Sequence, residues 1–190
     1  MKKIRHEEES RDSLYPDICD NLETIHQLWV NGNKGIRFVI PILCAAKLEA
    51  FINVVGKLKM QSWDSLERRL GFKEKLLVIS EVTGVPVDIG DDSVKSALRI
   101  FDIRNSLVHP KMRYQKIDEM ITQEEYEKRS ESYLGVDHHL RTELNSESVE
   151  NLISNANEFV ATWGPKFLDH PEYWLSGGST GGFTYEPTHG

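Results

Sequence analysis

Phe101-Asp102-Ile103-Arg104-Asn105-Ser106-Leu107-Val108-His109-Pro110-Lys111 closes an apolar run that begins near Ser93. On a helical projection of about 100° per residue, Ala97, Leu98, Ile100, Phe101, Ile103, Leu107 and Val108 share one broad arc. Arg104 falls near the middle of it. Stripping water from a guanidinium is costly, so an arginine placed there needs a carboxylate inside the fold or an anionic ligand in a cleft. Asn105 and His109 lie one turn apart on a shared flank. Pro110 disfavours α geometry at His109, which puts the imidazole where the helix ends. An arginine, an asparagine and a histidine therefore converge on one helix end.

The rest of the chain sets the frame for that end. A length of 190 residues suits one domain with a real core, and 39% hydrophobic with 28% charged residues is ordinary for a globular protein. The net charge of −7 argues against broad nonspecific nucleic-acid binding but leaves room for a local basic site. Two cysteines, Cys19 and Cys44, do not make a disulfide framework. Met1 to Asp12 is charged throughout and lacks the apolar centre of a signal peptide. The longest apolar stretch, Phe38 to Val55, contains Pro41, Lys47 and Glu49. It reads as a buried helix, with no membrane span expected and a cytoplasmic location.

Helical periodicity recurs along the chain. Asp17 to Val30 places Ile18, Leu22, Ile25 and Trp29 on one stripe, with Asp17 as N-cap and Gly32 as stop. Arg37 to Met60 is apolar nearly all round, as expected of a helix at the centre of a bundle. A short helix around Ser65–Leu70 and another over Phe72–Val82 follow. Asp91, Asp92 and Ser93 offer caps for the Arg104 helix. Thr122 and Glu125 form a capping-box pattern that starts a helix through Ser130. Ser146 to Trp163 is the last strong helix, stopped by Gly164-Pro165. No alternating run marks a sheet. The expected fold is all-α: a bundle of four to five main helices, with a helical and loop elaboration before the last one. The expected layout is a flexible arm over 1–16, a single helical domain over 17–175 and a flexible, glycine-rich tail over 176–190.

Arg104-Asn105-Ser106-Leu107-Val108-His109 resembles the signature of the HEPN superfamily, an arginine followed by a polar residue and then a histidine near the end of a bundle helix. The long helix carrying Glu49 and Asn53, the lysine-rich helix after it and the apolar helix that follows the motif fit the same layout over roughly residues 36–163. The resemblance implies a metal-independent endoribonuclease needing no cofactor. It also implies a homodimer in which the Arg and His of two chains meet in one cleft. Many members of that family are toxins or antiviral defence effectors, so a cognate antitoxin-like protein is an expected partner. Others have only structural roles.

The chemistry follows from residue types. RNA supplies its own nucleophile, the 2′-OH. An imidazole titrates near pH 6.5 and suits proton transfer, the role for His109. A guanidinium stays charged and donates two parallel hydrogen bonds, the role for Arg104 at the phosphate. Asn105 orients His109 or donates to a phosphate oxygen. One imidazole cannot easily serve as base and acid together, and a symmetric dimer supplies a second. Lys111, Arg113 and Lys116 are candidates to track an RNA backbone. Glu49 is either the ion-pair partner of Arg104 or a residue behind it that positions it. No metal site is expected, since His138, His139 and Asp137 lack a ligand spacing. The competing account is structural: Arg104 pairs with Glu49, His109 caps helix carbonyls, and the protein is a non-catalytic dimerisation or partner-binding module. A third account is a phosphate- or nucleotide-binding protein that does not cut.

Overall fold

A computed structural model describes residues 4–11, 13–109, 120, 122–125, 144, 146–176 and 178–185. The body is all-α. The described helices are α1 (Tyr15–Val30), α2 (Val39–Lys59), α3 (Trp63–Leu66), α4 (Phe72–Thr83), α5 (Asp92–Val108), α6 (Ser146–Phe167) and α7 (Pro171–Leu175), with a 3₁₀ turn over Lys34–Phe38.

The centre is α2, against which α1, α4, α5 and α6 all pack. Ile40, Cys44, Leu48, Phe51, Ile52 and Val55 are buried along it. With its leading turn it is long and apolar enough to cross a membrane. Here the helices that surround it make it the core helix of the bundle. Pro41 sits in its first turn, where the absent N–H removes no helical bond. The core is finished by aromatic side chains. Phe51 meets Phe159 edge-on at 6.2 Å between ring centroids, and Trp163 stacks on Phe167 at 5.5 Å. Across the bundle, His26 Nε2 lies 2.8 Å from Glu150 Oε2, which ties α1 to α6.

Local chemistry sets most helix ends. The Asp91 carboxylate accepts from the backbone N–H groups of Ser93 and Val94 at the start of α5. The hydroxyl of Ser93 also donates to Asp91, and these bonds hold the Asp91 carboxyl below its ordinary range. Ser93 Oγ in turn accepts from Trp163 Nε1 at 2.9 Å, joining that cap to α6. Gly84 stops α4 in the left-handed region at φ +69°, where a side chain would be strained. Thr122 and Glu125 make the reciprocal capping-box bonds. The helix expected to continue through Ser130, and most of the elaboration over 113–145, lie outside the described residues.

Several expectations are corrected. Helix α1 begins at Tyr15 rather than Asp17. Pro16 occupies its first turn, and the N-cap is Leu14 without a side-chain bond. The last long helix does not stop at Gly164-Pro165 but runs to Phe167. Its extra turn is held by burial of Phe167 and Leu168, and Leu168 N–H bonds Gly164 O, so the proline costs only one bond near the end. No sheet was expected, yet segments of the two termini pair with each other. Strand β1 (Ile4–Arg11) and strand β2 (Gly178–Tyr185) form an antiparallel two-stranded ribbon, from Ile4 opposite Tyr185 to Arg11 opposite Gly178. Main-chain hydrogen bonding between the strands makes such a ribbon, and that bonding imposes no alternating pattern on the sequence.

Burial also governs the titration of two groups. It pushes the Cys44 thiol up from 9.0 to about 12, against a smaller opposing effect of Lys47. It raises the Tyr15 hydroxyl too, with Cys19 adding to the rise. Above pH 9 the unfolded chain releases the Cys44 proton while the folded chain keeps it, so the unfolded state binds fewer protons and stability falls as pH rises towards 12. Denaturation at stepped pH is expected to show this alkaline loss, with a flatter slope in Cys44→Ala. At pH 8, thiol labelling is expected to reach the half-buried Cys19 but Cys44 only after unfolding. Equal native labelling of both would contradict that burial.

Candidate active site

The C-terminal half of α5 faces the turn between α3 and α4. Phe101 stacks on Phe72 at 4.2 Å and 18°, which fixes the two helices at that end. Between them opens a cleft of about 570 Å³. Its α5 wall carries Phe101, Asp102, Arg104 and Asn105, its α4 wall Phe72, Lys73 and Glu74, and α2 contributes Glu49.

Arg104 is half-buried rather than central in the core. The fully enclosed stripe of α5 is Val94, Ala97, Ile100 and Ile103, and Arg104 stands at its border. Its Nη1 donates to Asn105 Oδ1 at 2.9 Å. A guanidinium only donates, so the Asn105 amide must turn its oxygen inward. Its N–H₂ group then remains as a donor pair beside the cation. Among the described residues no ion pair reaches Arg104, so the two form a cationic donor set suited to an oxyanion, in a cleft that Glu49, Glu74 and Asp102 also line.

His109 is the C-cap of α5. Its backbone, at φ −122° and ψ 64°, leaves the helix, as Pro110 requires, and its N–H bonds Asn105 O at 2.9 Å. The side chain is exposed. It does not line the cleft that holds Arg104 and Asn105. The motif is thus brought together only in part within one chain. Lys111, Arg113 and Lys116 lie outside the described residues.

Glu49 is placed differently from either expected role. Among the described residues no ion pair joins it to Arg104. Lys75 Nζ donates instead to Glu49 Oε1 at 2.6 Å and to Asn53 Oδ1 at 3.2 Å. Asn53 Oδ1 also accepts from Trp63 Nε1 at 3.3 Å, so α2, α3 and α4 meet in one polar network. Lys75 is the buried charge among the described residues, with its side chain 1% exposed. Sequence reasoning missed it, although the signal was present. Phe72, Lys75, Leu76 and Ile79 share one face of α4, and three of the four are apolar. A lysine there needs a partner, as Arg104 was said to need one. Glu49 and Asn53 also line a second cleft, of about 370 Å³, that runs between α2 and the start of α1 along Ile18, Ala46, Ala50 and Val54.

No family model, no curated protein and no solved structure matches the chain.

Proposed function

We propose that the protein is a metal-independent endoribonuclease of the HEPN type, acting in the cytoplasm as a homodimer. In this reading Arg104 and Asn105 of one copy and His109 of the other meet over a single phosphodiester. The observation that carries it is the state of Arg104: half-buried at a cleft wall, hydrogen-bonded to a neutral amide, with its charge left for an anion. The 2′-oxygen attacks phosphorus, the guanidinium and the Asn105 amide stabilise the charge that builds on the phosphorane, and His109 moves a proton. The products are a 2′,3′-cyclic phosphate and a 5′-hydroxyl. Such an activity fits a toxin or defence effector held in check by a cognate antitoxin-like protein.

Generic RNA incubated with the protein in EDTA tests this. Cleavage giving those two termini is expected. Arg104→Ala is expected to lower it by about 10²–10³-fold, the usual loss when a donor to a developing oxyanion is removed. Stability should fall by no more than about 1 kcal/mol, because the bond lost is a single one to an exposed amide. Cleavage that requires added metal, or that Arg104→Ala leaves unchanged, overturns the reading.

One observation favours the second reading, a non-catalytic dimerisation or partner-binding module: in a single chain His109 stays out of the cleft. That reading expects no cleavage in EDTA by the unaltered protein.

A further inference from the structure

The geometry points to Glu49 as the group that takes the 2′-hydroxyl proton, with Lys75 as the positioning residue behind it. This rests on the nuclease reading above and deepens it. The burial of their ion pair is one-sided: the Lys75 side chain is 1% exposed and the Glu49 side chain 42%. The ammonium is sunk into the bundle and fixed by Glu49 Oε1 and Asn53 Oδ1. Among the described residues Glu49 Oε2 accepts no hydrogen bond, and Glu49 lines the cleft that holds Arg104 and Asn105. Three carboxylates, Glu49, Glu74 and Asp102, line that cleft against the cations Lys73 and Arg104, so an unpaired Glu49 would add to the repulsion of a phosphodiester. Pairing with Lys75 offsets the charge of Glu49 and leaves its second oxygen as the open acceptor.

The assignment also resolves the shortage of proton-transfer groups. With Glu49 as base, one imidazole is enough. The 2′-OH proton passes to Glu49 Oε2 as the O2′–P bond forms. The P–O5′ bond breaks, and O5′ takes its proton from the His109 imidazolium. Afterwards Glu49 releases its proton to water and His109 regains one, leaving the cyclic phosphate and the 5′-hydroxyl.

The experiment is the rate of RNA cleavage in EDTA against pH, for the unaltered protein, Glu49→Gln and Lys75→Met. A two-imidazole mechanism loses rate on mild acidification, whereas a carboxylate base sustains it further into acid. The second behaviour is expected. Glu49→Gln should lower kcat by about 10²–10³-fold and abolish the acid limb. Lys75→Met should cost about tenfold in kcat with little change in KM. A lysine with a merely structural role would lower stability and leave the kcat of the folded fraction unchanged. The Glu49→Gln/Lys75→Met double variant, which removes both charges, covers the case of poor folding. Restored stability without restored cleavage supports the assignment, and cleavage returning with stability overturns it. Single variants that cut like the unaltered protein overturn it too, with the nuclease reading intact. An unaltered protein that does not cut RNA overturns both.

Discussion

Gly56→Ala is expected to lower stability by about 1–3 kcal/mol, measured by chemical denaturation. Inside an ordinary helix the same change gains about 1 kcal/mol, because glycine is the poorer helix former. The sign reverses here because of Trp63. A Cβ on Gly56 would sit 2.1 Å from the indole Cδ2 and Cε2 atoms, well inside van der Waals contact. The ring cannot yield cheaply. Trp63 is almost wholly buried, and its Nε1 is bonded to Asn53. Displacing it disturbs the oxygen that also holds Lys75, and through Lys75 the carboxylate of Glu49. The glycine therefore allows α3 to lie flat on α2 and sets the network at the cleft. A Gly56→Ala protein as stable as the parent, or more so, would mean that the indole shifts freely and does not pin Asn53.

The fold was legible in the sequence wherever burial imposes a period. Helix α2 is apolar around its circumference because helices pack on it from several sides, and α5 carries both a periodic apolar face and its Asp91 cap. Where other forces decide, the pattern is silent. Pro165 reads as a stop, but burial of Phe167 and Leu168 outweighs one missing hydrogen bond. The β1–β2 ribbon depends on backbone pairing between segments far apart in the chain, with glycines in β2 that disfavour strands. At the site, the end of α5 and the position of His109 followed from Pro110. The partner of Glu49 did not, because two cations, Arg104 and Lys75, competed for one carboxylate. Local sequence gives no distance between helices. Lys75 holds the pair because it projects from the face of α4 packed on α2, whereas Arg104 stands at the border of α5 and turns to its own neighbour, Asn105.

His109→Ala is expected to reduce RNA cleavage by about 10²–10⁴-fold, which corresponds to roughly 3–5 kcal/mol in barrier. The variant should fold as the parent does. The His109 side chain is exposed, and the cap bond to Asn105 O comes from its backbone N–H, which alanine retains. Loss of rate without loss of stability therefore isolates the imidazole as a proton donor or acceptor, and added imidazole should restore part of the rate. The position of His109 gives the same variant a second use. Within one chain the ring lies outside the cleft that holds Arg104, and the proposed dimer draws the two from different copies. Co-expressing His109→Ala with Arg104→Ala then produces mixed dimers in which one of the two clefts has an intact arginine and an intact histidine. Cleavage should reappear in the mixture although each variant alone is inactive. If it does not, Arg104 and His109 serve the same cleft from the same chain, and α5 must rearrange around Pro110 to bring them together.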